Sequence, residues 1–372
     1  MSVLITGATG YLGSRLLHHL LTEEDDTPVV LLGRDEPAVL LRRIRTAVTW
    51  LDTEGTLRPG AFGRLRCLRA DLSRPGPLPH DEALDGLTTI WHCAASIALH
   101  GDPLPIHRAN VIGTRRILEL ADRTSRVHLV HVSTAYVAGR RTRGLIRETD
   151  LCDAAGFHNA YEESKFTAER TVRHWARTRS RTVTVLRPGV LVDNRPAPDG
   201  LPQHPFAFLA RTMRTTLRAR ARRGSGAGAP HDPGRAAPAA MRFRLQGPPD
   251  GSLNLLQTDW AVQAMVRTAA AHHEPGVLTA HLTHPDNTPA QLIARAFEAA
   301  QPGLSAHITP HIPDPTPLEA YAVREFGYLL SYNTHQRTYD RTHLLRHIGG
   351  LPAPLPIDTG YLAQALAAPS RP

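Results

Sequence analysis

Over the first half of the chain, six short apolar runs alternate with four longer segments of helical period, and few folds accommodate that order. The runs are Val3–Ile5, Val29–Leu32, Leu65–Leu68, Thr89–Cys93, Val127–Val132 and Thr182–Leu186. Between them, Tyr11–Leu21, Pro37–Leu51, Ile106–Ala121 and Ala160–Thr178 carry helical spacing and are long enough to serve as crossovers. This alternation predicts an α/β fold on a doubly wound parallel sheet.

The pattern weakens after Arg187-Pro188-Gly189. Residues 195–240, rich in Pro, Gly, Ala and Arg, read as a mobile surface segment, loosest at Gly224-Ser225-Gly226-Ala227-Gly228. Regularity returns at Asp259, placed to cap a helix through Ala271, and at Leu278–Leu282, a further strand of the sheet. The expected division is a dinucleotide-binding domain over 1–190, to which 252–285 return, and a smaller, mostly helical substrate lobe from 191–251 and 286–350. The tail, 351–372, is expected to fray.

Thr6-Gly7-Ala8-Thr9-Gly10-Tyr11-Leu12-Gly13 joins the first expected strand to the first expected helix, the context in which glycine spacing becomes informative. Gly7 permits a tight turn, Gly10 lets the backbone approach a pyrophosphate, and Gly13 lets the helix sit close to the sheet. The free N–H groups of the first helical turn then meet the phosphates. The fold is therefore expected to be Rossmann-type, with Thr9, Tyr11 and Leu12 also at the cofactor. Where NAD sites place a carboxylate, at the end of the second strand, this chain has Gly33-Arg34. A guanidinium can fork onto a 2′-phosphate, which favours NADP(H). Asp35 leaves NAD(H) open, and a merely solvated Arg34 is the alternative. Asp71 and Leu72, after the third strand, are placed to meet the adenine unless Asp71 only caps a turn.

Tyr161 and Lys165 stand four residues apart in a helical segment, so both project from one face. A nearby ammonium favours phenolate, letting Tyr161 give its proton to a developing alkoxide closer to neutral pH. Of 43 lysines and arginines, Lys165 alone is lysine, so the preference that made every other basic residue arginine stops where an amine is needed. Ser133 and Thr134, at the end of the fifth strand, offer hydroxyls to a substrate oxygen, Thr134 first and Ser133 second. Both could instead cap a loop.

Composition excludes several classes. Net charge is +9, but the cations are dispersed, aromatics are 5%, and no zinc-finger or RNA-recognition signature accompanies them, which argues against nucleic acid. No apolar run approaches the roughly 18 residues of a membrane span, and Val3-Leu4-Ile5 leads into glycines rather than a signal core. Three cysteines, Cys67, Cys93 and Cys152, without ligand spacing fit a reducing compartment, so a cytoplasmic protein is expected. The pairs His18-His19, His128/His131 and His272-His273 lack the carboxylate or His-Glu-x-x-His partners of a metal site, and no metal is expected.

With these motifs in order, the chain resembles the extended short-chain dehydrogenase/reductases. The resemblance rests on Thr6 to Gly13, Cys93-Ala94-Ala95, Asn110-Val-x-Gly-Thr114, Val132-Ser-Thr-Ala-Tyr-Val-x-Gly139, Tyr161-x-x-Ser-Lys165 and Arg187-Pro-Gly189, over roughly 1–285. It implies that the tyrosine is the acid/base, that the lysine lowers its pKa and binds the ribose, and that a serine or threonine polarises the carbonyl. It also implies that Asn110 supports the active site and that Ala94 and Pro188 lie at the cofactor. Val132 to Val137, Gly33-Arg34, Thr258-Asp259-Trp260 and the segment 332–340 resemble most the fatty acyl-CoA reductase and thioester reductase branch, which reduces acyl thioesters with NADPH. That branch implies a substrate on coenzyme A or an acyl-carrier protein, with Arg211 to Arg223 either receiving an acidic donor or forming a solvated helix face. Alternatives are a ketoreductase or alcohol dehydrogenase on a secondary metabolite and a sugar-nucleotide epimerase or dehydratase. A homodimer is one open assembly.

Overall fold

The computed structural model describes residues 2–369 apart from 24, 77, 100, 125 and 225–239, with backbone only at 220–224, 325, 326 and 328–330. Strands β1 (Ser2–Thr6), β2 (Val29–Gly33), β3 (Leu65–Arg69), β4 (Leu87–His92), β5 (His128–Val132), β6 (Thr182–Pro188) and β7 (Gly276–Leu282) form one sheet in the order β7-β6-β5-β4-β1-β2-β3. Every pair in it is parallel.

Successive residues of these strands enter opposite cores, as the pleat requires. Leu4, Val30, Ile90 and Leu129 face helices α3 (Gly113–Ala121) and α4 (Ala160–Arg179) through Ile117, Leu118, Val172 and Trp175. Ile5, Leu31, Trp91 and Val130 face α1 (Tyr11–Thr22), α2 (Pro37–Leu51) and α5 (Thr258–Ala270) through Leu17, Ile44, Val48 and Met265. Burial on both faces is why β1 and β2 read as apolar runs, whereas the edge strand β3 exposes Arg66 and Arg69. Because β1 lies between β2 and β4, the chain departs to opposite sides of it, and the carboxyl ends of β1 and β4 flank the switch point where such sheets take ligands.

Two compact units make up the chain. The first, Met1–Leu191, Leu256–Pro285 and Arg337–Pro354, carries the sheet. The second comprises Val192–Leu255, Asp286–Gln336 and Leu355–Pro372. Its helices are Pro205–Gly224, Ala290–Ala300, Pro317–Ser331 and Thr359–Leu366, and within it Met241–Gln246 pairs in parallel with Leu304–Thr309.

Several expectations need correction. Much of 195–240 is ordered as the helix Pro205–Gly224, which buries Phe206, Leu209, Ala210 and Met213 at helical spacing. Its arginines masked that stripe; Ser225 to Gly228 lie outside the described residues. Asp259 is not the cap of α5, which starts at Thr258 behind Gln257; the carboxylate instead sits in the first turn, where it suits the positive end of the helix dipole. The tail holds the helix Thr359–Leu366, started by Asp358 accepting from the Tyr361 N–H and anchored by buried Leu362, Ala365 and Leu366. The single helix expected from Ile106 is three pieces: Pro103–His107, a π segment at Arg108–Ile112, and α3.

Candidate active site

The glycine loop leaves bare backbone at the switch point. Gly7 has φ +74°, and a Cβ there would lie 2.7 Å from the Ala94 nitrogen. At Gly13 a Cβ would overlap the Gly7 carbonyl, so neither glycine admits a side chain without displacing main chain. Gly10 precedes α1 without a side-chain cap, so the N–H groups of the first turn have no capping side chain. This cradle fits a dinucleotide pyrophosphate. Thr9 is half-buried in the loop, and Leu12 packs on the core. The Tyr11 hydroxyl is 2.8 Å from Thr258 Oγ1 while Arg15 lies over its ring at 3.9 Å, so that side chain ties α1 to α5.

Ala94 donates its N–H to Thr6 Oγ1 at 3.1 Å, and a polar chain starts there. Thr6 Oγ1 is 2.9 Å from His92 Nδ1, His92 Nε2 is 3.0 Å from Thr114 Oγ1, and Thr114 donates to the Asn110 carbonyl at 2.6 Å. With the Thr114 proton committed, His92 donates from Nε2 and accepts at Nδ1. Burial, then the Lys165 charge, hold its pKa down to about 3, so the ring stays neutral. Asn110, buried in the π segment, accepts from the Ser96 N–H at 2.7 Å and donates to the Ser96 carbonyl and to Ser164 Oγ. Ser164 in turn donates to the Tyr161 carbonyl at 2.8 Å. Asn110 thus fixes the first turn of α4 to the loop after β4.

α4 opens at Asn159, whose side chain accepts from the Glu162 N–H, and presents Tyr161 and Lys165 on one face. Lys165, 3% exposed, donates to the Val132 carbonyl at 2.6 Å. Burial pushes its amine down to about 8, opposed by Glu169 and Cys93. Tyr161 keeps part of its surface open, yet its surroundings push the phenol up to about 12, mainly by burial, with the Thr134 hydroxyl drawing it down. This corrects the expectation that the ammonium dominates the phenol: the amine is turned to Val132, and Tyr161 is held protonated, as a proton donor must be.

Thr134 and Ser133 part company. Thr134 Oγ1 is 3.5 Å from the Pro188 carbonyl, accepts from the Tyr136 N–H, and stands beside Tyr161. Ser133, expected as a second substrate donor, gives its proton to buried Glu169 at 2.7 Å instead, because a carboxylate outcompetes other acceptors. Sequence reasoning missed Glu169, although it lies one further turn along the Tyr161/Lys165 face. Burial pushes its carboxyl up, but Arg187, Arg173 and Ser133 together hold it down to about 2.

Arg34 is exposed, and among the described residues it makes no hydrogen bond or ion pair. The competing acids are engaged: Asp35 pairs with Arg43 at 2.5 Å and Glu36 with Arg69. Asp71 accepts from the Ser73 N–H and hydroxyl; burial raises its pKa, but those bonds and the charges of Arg34 and Arg74 outweigh it. Leu72 is buried against Gly113. The structure therefore gathers the glycine loop, Ala94, Asn110, Thr134, Tyr161, Lys165 and Pro188 at the carboxyl ends of the central strands, and turns Ser133 and the Tyr11 side chain elsewhere. Among the described residues, no helix is long and apolar enough to cross a membrane, and no three His, Cys, Asp or Glu residues group as metal ligands.

Comparison with known proteins gives the same outline. Residues 5–221 match the NAD-binding family described as male sterility protein. The chain is 33% identical over 197 residues to an isonitrile lipopeptide synthase of Streptomyces coeruleorubidus, covering 51% of this chain and 13% of that one. It is 30% identical over 144 residues to fatty acyl-CoA reductase 1 of Xenopus laevis, covering 36% and 28%. The chain thus spans only a small part of either relative. Among solved structures, the terminal R domain from the myxalamid PKS-NRPS biosynthetic pathway superposes with a TM-score of 0.71 at 24% identity, covering 98% of this chain and 89% of that one.

Proposed function

The chain belongs to the male sterility protein family within the extended short-chain dehydrogenase/reductases, and from that premise we propose that it uses NADPH to reduce an acyl thioester or aldehyde. The family and the cradle make it an oxidoreductase with a nicotinamide cofactor. One observation carries the proposal: Tyr161 and Thr134 stand together at the strand ends, with Lys165 behind them and the glycine cradle beside them. When bound, the nicotinamide supplies hydride to the substrate carbon.

The chain's own groups meet the charge this creates. Thr134 and Tyr161 donate to the substrate oxygen, and Tyr161 gives up its proton as that oxygen becomes alkoxide. An alkoxide is far more basic than a phenolate, so a phenol held near 12 still transfers its proton downhill. Lys165 sits one turn below, where an amine within reach of a ribose would orient it. Arg34 supports NADPH, because its rivals Asp35 and Glu36 are already paired with arginines. The likeness to a fatty acyl-CoA reductase and to a synthase supports a substrate carried on coenzyme A or an acyl-carrier protein.

NADPH absorbance followed against octanoyl-CoA, octanal, 2-octanone and UDP-glucose tests this. Oxidation with octanoyl-CoA or octanal is the expected result. Turnover of 2-octanone alone, or conversion of the sugar nucleotide without net cofactor loss, would replace it with the ketoreductase or epimerase reading.

A further inference from the structure

Ser133 and Glu169 form part of a polar cluster that the proposed reaction does not use. Glu169 is fully buried, and four donors converge on it: Ser133 Oγ at 2.7 Å, Arg173 Nε at 2.8 Å, and Arg187 Nε and Nη2 at 3.0 and 2.7 Å. Arg187 is itself buried on β6 and also donates to the Asp150 carbonyl at 2.7 Å. A buried ion pair of this kind adds little net stability over apolar packing. Its geometry is more informative than its energy. Tyr161, Lys165 and Glu169 follow one another at successive turns of α4, and the latter two reach consecutive residues at the end of β5. Lys165 holds the Val132 carbonyl, and Glu169 holds the Ser133 hydroxyl. The next residue is Thr134, beside Tyr161.

We infer that Glu169 and Ser133 are positioning residues: with Lys165 they clamp the last residues of β5 to α4, so that the Thr134 hydroxyl is set against Tyr161 for the incoming carbonyl oxygen. The inference rests on the reading of Thr134 and Tyr161 as the groups that meet that oxygen. One tie fixes the strand end along the helix; the second, one turn away, fixes its rotation. Without the second, only the Tyr136 N–H and a long 3.5 Å contact to the Pro188 carbonyl hold the Thr134 hydroxyl, and displacement of a donor by about 1 Å can cost on the order of 100-fold in rate. The glycine cradle follows β1 and abuts Ala94 after β4, so the pyrophosphate site does not touch Ser133 or Glu169.

The full chain carries the test as Ser133→Ala and Glu169→Gln. With octanal as probe, Ser133→Ala is expected to lower kcat by about 10- to 100-fold while KM and the NADPH Kd, read from nucleotide fluorescence, stay within about twofold. Unchanged kcat, or a loss confined to KM, overturns the inference.

Lys165 is the only lysine, so its ¹³Cε resonance reports its titration without assignment ambiguity. The groups facing it are Glu169 on its own helix, His92 and Cys93 at β4, and His131 on β5. His92 and His131 remain neutral through burial, so Glu169 is the charge that changes. Glu169→Gln should move the midpoint to lower pH, and Ser133→Ala should leave it in place. The midpoint reports only the Glu169 charge beside the amine; the clamp is read from kcat, and a folded Glu169→Gln with a lower melting temperature and unchanged kcat contradicts it. If Glu169→Gln does not fold, Ser133→Ala decides alone. If the wild-type protein binds NADPH yet reduces neither octanal nor octanoyl-CoA, the proposed reaction fails, and amide hydrogen exchange over 133–136 still decides the clamp: Ser133→Ala should speed it, and unchanged exchange overturns the inference.

Discussion

Replacing Lys165 with methionine should abolish turnover and yet leave stability near neutral pH almost unchanged. The amine is 3% exposed, and its pKa falls from 10.5 to about 8, chiefly through burial. At about 1.4 kcal/mol per unit, the charged form costs about 3 kcal/mol in the fold. Since the folded pKa lies below the unfolded one, the unfolded chain binds more protons between those values, and stability rises with pH across that window. The penalty is fully present below about pH 8 and gone above about 10.5. Methionine removes it but strands the Val132 carbonyl, which costs about 1–3 kcal/mol. The two effects nearly cancel at pH 7. Denaturant titrations of both proteins from pH 7 upward should show wild type gaining about 3 kcal/mol on Lys165→Met by about pH 10.5. A difference that does not change with pH would refute the claim that the amine is held in the fold at a desolvation cost.

Two further substitutions probe the cofactor side. Arg34→Ala should weaken NADPH by about 1.5–3 kcal/mol, the worth of a hydrogen bond to a charged group, while NADH binding barely moves; equal losses in titration calorimetry would remove the 2′-phosphate argument. Gly13→Ala places a methyl on the Gly7 carbonyl and should abolish NADPH binding at a lower melting temperature, whereas retained affinity would mean that the cradle yields.

The sheet was legible because burial on both faces leaves β1 and β2 as apolar runs, and even the edge strand β3, with Arg66 and Arg69 exposed, falls within one residue of Leu65–Leu68. The chemistry was legible where local spacing carries it: glycines within one turn, and Tyr161 and Lys165 within one helical repeat. Partners far apart in sequence were not. Glu169 meets Arg187 across 18 residues, and Thr6 meets His92 across 86, so nothing local marks these side chains as partners. The direction of Ser133 was hidden for the same reason, since neighbouring strand residues face opposite ways and only the buried carboxylate reveals which hydroxyl is engaged. The helix Pro205–Gly224 was concealed by composition, because its many arginines obscured the apolar stripe of Phe206, Leu209, Ala210 and Met213.

The most direct test is a single-turnover experiment with saturating NADPH and octanal, following nucleotide absorbance for wild type and Tyr161→Phe. Phenylalanine keeps the ring and loses only the transferable proton. Hydride transfer should slow by about two to four decades, the range of general acid catalysis, with the NADPH Kd unchanged. Equal rates in the two proteins would show that the proton comes from elsewhere and that Tyr161 is not the acid.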